Sequence, residues 1–221
     1  MSIFMRTAGF GRWAAAAVFS VSALTAGTVG ATVVSGTVTS GGSATFVKLT
    51  VPLTSSTPFN TVGQDNFNSP NLFAFDESQN TTLTGNLTGD LGGSLFAGTV
   101  VASHYVFYDP QSGRIQGTIN FDADILAVLS RSTTLLATDY LANTGVNYLN
   151  PGLRGLESGD VVTITGARQI TVDLSASSPG DYIRVLTEFS PGAVVPEPAS
   201  LALVGVALAG LGLTRVRRRA D

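Results

Sequence analysis

Between Thr32 and Gly192 apolar and polar residues alternate in short runs, with turn residues returning about every eight to twelve positions. In an extended strand successive side chains point to opposite faces, whereas an amphipathic helix needs apolar residues at a spacing of three and four. A chain patterned at period two in pieces this short is excluded from helical bundles. It must bury one face of many strands against another layer. The runs Ala44–Leu53, Asn71–Asp76, Gly98–Pro110, Arg114–Asp122, Asp160–Gly166, Arg168–Ser175 and Asp181–Ser190 all read as strands. Phe73 and Phe75 share one face of theirs, and Ser103 and His104 take opposite faces. Asp109-Pro110-Gln111-Ser112-Gly113, Gly166-Ala167 and Ser178-Pro179-Gly180 supply turn chemistry, and the first reads as a hairpin. A single helical patch is predicted over Leu135–Gly145, with Leu136, Tyr140 and Leu141 at helical spacing. The fold class is all-β: an antiparallel β-sandwich or jelly roll with a small helical insertion, in one domain.

The chain has no cysteine, which removes disulfide frameworks, thiolate metal sites and cysteine nucleophiles together. Residues 32–192 must therefore hold together through an ordinary apolar core. That body carries thirteen Asp and Glu against Lys48 and five arginines, a balance of −7. Phosphate backbones are bound by clustered Lys and Arg, so nucleic acid is not an expected partner.

Both ends read as processing segments. Residues 1–31 begin with Arg6 and Arg12, continue through an apolar stretch, and place Val29 and Ala31 at the −3 and −1 positions of a cut after Ala31. This is the pattern of a secretory signal peptide handled by the Sec translocon, because the two arginines are not adjacent. At the other end, a linker over residues 193–198 contains Pro196-Glu197-Pro198, and 199–219 forms an apolar run closed by Arg215, Arg217, Arg218 and Arg219. Fifteen residues of helix span about 22 Å, short of the ~30 Å hydrocarbon core, so the span is marginal and the arginines stay on the cytoplasmic side. The two prolines keep the preceding segment extended and accessible at the membrane face.

Pro196-Glu197-Pro198, the apolar helix and the terminal arginine cluster resemble, in order and spacing, the PEP-CTERM sorting signal of exopolysaccharide-producing Gram-negative bacteria. The resemblance covers the last eighth of the chain and implies recognition by exosortase, a membrane protease or transpeptidase. It also implies transient anchoring in the inner membrane, followed by transfer to the cell envelope or outside. The body resembles no family.

Within the body, His104 is the one histidine, and no G-x-S-x-G elbow accompanies it, so it reads as structural. Carboxylates are better stocked. Asp65, Asp76, Glu77, Asp122 and Asp124 are the candidate metal ligands, with Ca²⁺ the ion suited to such oxygens, although the calcium-loop pattern is missing and no cofactor is expected. Two of Asp76, Glu77, Asp122 and Asp124 facing each other across a cleft would serve glycoside hydrolysis. The expectation is a non-enzymatic envelope or exopolysaccharide-matrix protein. A carbohydrate-binding or calcium-assisted adhesion domain is the alternative, and it would show tyrosines aligned on an exposed sheet face.

Overall fold

A computed structural model describes residues 30–189. The signal segment before Gly30, the linker, Pro196-Glu197-Pro198, the apolar run and the terminal arginines lie outside the described residues. Among those described, the chain forms β1 (Val33–Ser40), β2 (Phe46–Lys48), β3 (Thr61–Val62) and β4 (Leu72–Asp76). Four two-residue strands follow: β5 (Thr81–Thr82), β6 (Leu87–Thr88), β7 (Leu91–Gly92) and β8 (Ser94–Leu95). The long strands β9 (Val100–Tyr108) and β10 (Gly113–Phe121), β11 (Ile125–Leu129), α1 (Ser132–Ala137) and β12 (Asn147–Tyr148) come next. The chain closes with β13 (Val161–Gly166), β14 (Gln169–Ala176) and β15 (Asp181–Thr187).

Two sheets carry the architecture. The smaller is antiparallel throughout, in the order β1-β10-β14-β13. The larger runs β2-β4-β9-β15-β11-β7, antiparallel except where β2 joins β4. Their facing sides make a sandwich core from Ile115, Ile119, Ile170, Val172 and Leu174 on one sheet and Leu72, Val106, Val128, Ile183 and Val185 on the other. Gly117 lies on this inner face, where a Cβ would meet Thr37 O at 2.7 Å and Leu72 Cδ2 at 2.9 Å. A side chain there would hold the two sheets apart.

The larger sheet is buried on its second face as well. Phe73, Phe75, Val101, Tyr105, Phe107, Tyr182 and Leu186 are covered by Leu53, Val62, Leu83, Leu135, Leu141 and Val146 from the loops and the helical insertion. The molecule is thus a sandwich with a third, irregular layer. This explains the near-continuous apolar character of β9, whose last eight residues are all buried. Phe73 and Phe107 stack at 5.1 Å between ring centroids, and Phe107 and Tyr182 stack at 5.7 Å.

Three local expectations are corrected. The Asp109–Gly113 turn is not a hairpin, because β9 and β10 belong to different sheets, and Ser178-Pro179-Gly180 likewise crosses from β14 to β15. The two crossings lie side by side, since β9 pairs with β15 in one sheet and β10 with β14 in the other. Of Ala44–Leu53 only Phe46–Lys48 is strand. The helical insertion begins earlier and is shorter than expected, with Leu135 and Leu141 buried while Leu136 and Tyr140 face solvent. It stops at Ala137 because Thr138 Oγ1 donates to Thr134 O and Leu135 O, and Arg184 Nη1 also donates to Leu135 O.

Asp181, at the start of β15, is buried with Oδ2 unpartnered. Burial first, and then the charges of Asp160 and Glu157, push its carboxyl up to about 8. Between its unfolded pKa near ~3.9 and that value, the folded protein holds a proton that the unfolded chain has released, so stability falls as pH rises through the window. Asp181→Asn, neutral throughout, is expected to raise the melting temperature by about 3–6 °C at pH 8.5 and to change little at pH 4. Melting curves at the two pH values check this, and equal shifts at both would refute the titration of Asp181 as the cause.

Candidate functional site

The two ends of the described chain meet at one edge of the sandwich, around the Asp122-Ala123-Asp124 turn between β10 and β11. Thr32 N donates to Asp122 Oδ1 at 2.7 Å, and Asp122 N donates back to Thr32 O at 3.1 Å. Two residues on, Glu188 N donates to Asp124 O at 2.9 Å. Ala31 is buried against Ala102 and Ala123, so the residue expected to precede the signal cut is packed onto the body.

Asp76, at the end of β4, binds both exits. Its Oδ2 accepts from Thr32 Oγ1 at 2.7 Å and its Oδ1 from Val33 N at 2.9 Å. Lys48 Nζ lies 2.9 Å from Oδ2, and also donates to Thr32 Oγ1 and Val33 O. On the sheet side, His104 Nδ1 lies 2.8 Å from Asp76 Oδ1, and His104 Nε2 is 3.1 Å from Thr187 Oγ1. A continuous hydrogen-bonded path therefore runs from Thr32 through Asp76 and His104 to Thr187, the last residue of β15. Burial works to raise the Asp76 carboxyl, but the His104 hydrogen bond and charge, the Val33 amide and Lys48 outweigh it and hold it well below the usual range.

The order carboxylate, imidazole, hydroxyl is that of a hydrolytic triad, and its geometry is close enough to raise the question. His104 and Thr187 are both 0% exposed, and the Thr187 hydroxyl also lies 3.0 Å from Glu188 O. A nucleophile must reach a substrate carbonyl, and this hydroxyl has no open side. The path ties strands and chain ends together. Thr187 and Lys48 were not singled out by sequence reasoning, since both join His104 and Asp76 only through strand pairing.

The opposite face of the same strands carries a separate polar cluster. Glu77, one residue beyond Asp76, turns into the third layer and is buried. Arg184 Nε and Nη2 donate to its two oxygens at 2.6 and 2.9 Å, Ser103 Oγ at 2.6 Å and Tyr148 Oη at 2.7 Å. Arg184 Nη1 adds Thr138 Oγ1 at 2.9 Å, and Arg154 pairs with Asp139 at 2.6 Å beside it. Ser103 and His104 do take opposite faces, as β-strand geometry requires. Serine faces the Glu77 cluster and histidine the Asp76 path.

The candidate carboxylates are thereby dispersed. Asp76 and Asp122 converge on Thr32, which stands between them; Glu77 is enclosed by its four donors; Asp124 Oδ1 accepts from Arg168 Nε at 2.6 Å. Asp65 lies on the far loop, where its Oδ2 accepts from Ser178 Oγ. Among the described residues no group of three or more His, Asp or Glu side chains is placed to hold a metal ion. The tyrosines do not line up on an exposed face: Tyr105, Tyr108 and Tyr182 are buried, and of the five only Tyr140 is exposed. Among the described residues no helix is long and apolar enough to cross a membrane; the apolar run at 199–219 lies outside them.

Comparison with known proteins locates one match. No curated protein and no solved structure is similar to this chain. A family model described as the PEP-CTERM protein-sorting motif matches residues 194–219, beginning eight residues after the last strand ends at Thr187. The chain thus carries the PEP-CTERM sorting motif on a β-sandwich body, and that motif is the mark of an exported protein sorted by exosortase.

Proposed function

We propose that this is a non-enzymatic structural protein of the cell envelope or exopolysaccharide matrix, needing no cofactor, anchored in the inner membrane during sorting and released by exosortase. The observation that carries this reading is the PEP-CTERM motif at 194–219. The body supports it in two ways. Its buried histidine and its candidate carboxylates are committed to hydrogen bonds that join strands. Its two chain ends also leave together, past Asp122 and Asp124. Two membrane-directed segments that emerge side by side enter one membrane without straining the fold between them.

Ala31 is buried in the folded body, and proteases need extended, accessible chain, so the signal cut is completed before this edge docks. It leaves the new amino group of Thr32 where its nitrogen already meets Asp122 Oδ1. The expected intact mass of protein recovered from the native host is that of a chain starting at Thr32 and ending near Pro198, found in the outer or matrix fraction. A full-length tail retained in the inner membrane would refute release, and would leave an ordinary anchored protein.

A further inference from the structure

The outer face of the four-stranded sheet presents a regular array of side chains in three rows. The registers place Thr37, Thr118, Thr171 and Thr163 side by side across β1, β10, β14 and β13. Among the described residues none of these four hydroxyls has a hydrogen-bond partner, which leaves each a donor and an acceptor toward solvent. On one flank, Asn120 Nδ2 donates to Ser35 Oγ at 3.2 Å, Gln169 Nε2 to Asn120 Oδ1 at 2.8 Å, and Thr165 Oγ1 to Gln169 Oε1 at 3.1 Å. That row is one unbroken chain across all four strands. On the other flank, Arg114 grips Asp173 with two hydrogen bonds at 2.7 and 2.8 Å, and Gln116 Nε2 adds a third at 2.8 Å. Two self-satisfied rows thus hold a row of free hydroxyls between them.

A groove of about 320 Å³ follows the array, lined by Thr39, Gln116, Thr118, Thr171, Asp173 and Val161. These residues come from β1, β10, β14 and β13 in turn, so the groove runs across the strands, over a width of about 14 Å at ~4.8 Å per strand. Its two ionic side chains, Arg114 and Asp173, neutralise each other, and no aromatic ring lies in any row. A polyanion would find no surplus positive charge here, and an apolar helix would leave the hydroxyls unpaired. The complementary partner is itself uncharged, extended, and furnished with hydroxyls at regular intervals.

Resting on the export reading above, the geometry points to this face as the binding surface for a neutral polysaccharide chain lying across the strands, its hydroxyls exchanging hydrogen bonds with the threonine row. The absence of stacking rings makes each site weak, and strength comes from many protein copies along one polymer.

The test is native gel electrophoresis of the detergent-solubilised full chain in gels cast with hydroxyethyl cellulose, galactomannan or alginate. Retardation by at least one neutral polymer and none by alginate is expected. Thr118→Val with Thr171→Val keeps shape and strand propensity while deleting two hydroxyls, and is expected to weaken retardation about tenfold. Thr82→Val, on the exposed β5, is expected to leave it unchanged, and melting curves confirm that each variant is folded. Equal retardation of the double variant, retardation by alginate alone, or no retardation of the wild type overturns the inference. So does ice-crystal shaping without polymer retardation, which would assign the ladder to a frozen-water surface. Fractionation separates this inference from the reading beneath it. Wild type and double variant held equally in the matrix would sink the face and spare the matrix role. A wild type missing from the matrix, with retardation still dependent on Thr118 and Thr171, would do the reverse.

Discussion

Arg184→Met is expected to destabilise the protein by about 3–5 kcal/mol, the largest loss foreseen for a single polar side chain. For a body of this size that lowers the melting temperature by on the order of 10 °C. Arg184 and Glu77 are both fully enclosed in side chain, and Arg184 spans the larger sheet and the helical layer through Glu77, Thr138 and the Leu135 carbonyl. Burial works to lower the guanidinium pKa, but Glu77 beside it more than offsets this and holds it charged. Removing Arg184 strands a carboxylate among Ser103, Tyr148 and the aromatic core, where an unpaired charge is costly. Pairing the change with Glu77→Gln removes that charge and keeps the acceptor for Ser103 and Tyr148, so the double variant is expected to recover half or more of the loss. Urea titration of the three variants gives the cycle. A single-variant cost under about 1 kcal/mol, or a double variant as unstable as the single, would show that the ion pair does not hold the third layer in place.

Asp76→Asn should cost about 2–4 kcal/mol at pH 7, with a pH signature of its own. Asparagine cannot accept from Thr32, Val33, Lys48 and His104 together without charge, and its amide group sets a donor against donors. Because the folded carboxyl is held below its unfolded value, its contribution is fully present above the unfolded pKa of ~3.9. It is lost as pH falls through the lower folded one. The gap in stability between wild type and Asp76→Asn is therefore expected to be constant from pH 6 to pH 8 and to shrink below pH 4. Denaturant titrations at pH 3, 5 and 7 check this, and a gap independent of pH would assign the loss to packing alone. The same substitution should free the chain ends first, seen as faster amide exchange at Thr32, Val33 and Thr187 than in the sheet centre.

Much of the local structure was legible in the residues. Alternation in Leu72–Asp76 and Val100–Tyr108 placed Phe73 with Phe75, and opposed Ser103 to His104, because a strand's side-chain period is a property of the backbone alone. Val33–Ser40 and Ile125–Leu129 passed unnoticed as strands. The first is a polar edge strand that buries little, and the second is a short apolar run whose period is ambiguous. The sorting tail was legible for a different reason: an enzyme reads it as linear chain, so residue order carries all of its information.

Partnership was not legible. Asp109-Pro110-Gln111-Ser112-Gly113 is a good turn whether it returns a strand to its own sheet or carries it to the facing one, and only burial of both faces of β9 selected the second. Glu77 and Asp76 look alike in sequence, yet one meets an arginine 107 positions away and the other a histidine 28 positions away. The threonine row is the plainest case. Thr37, Thr118, Thr163 and Thr171 are scattered among many similar residues, and they align only once three strand registers are set. By itself the sequence determined strands, turns, charge and destination, which depend on each residue and its near neighbours. Tertiary structure alone decided which strands meet and in what register, because those choices follow from burying the most apolar surface over the whole chain.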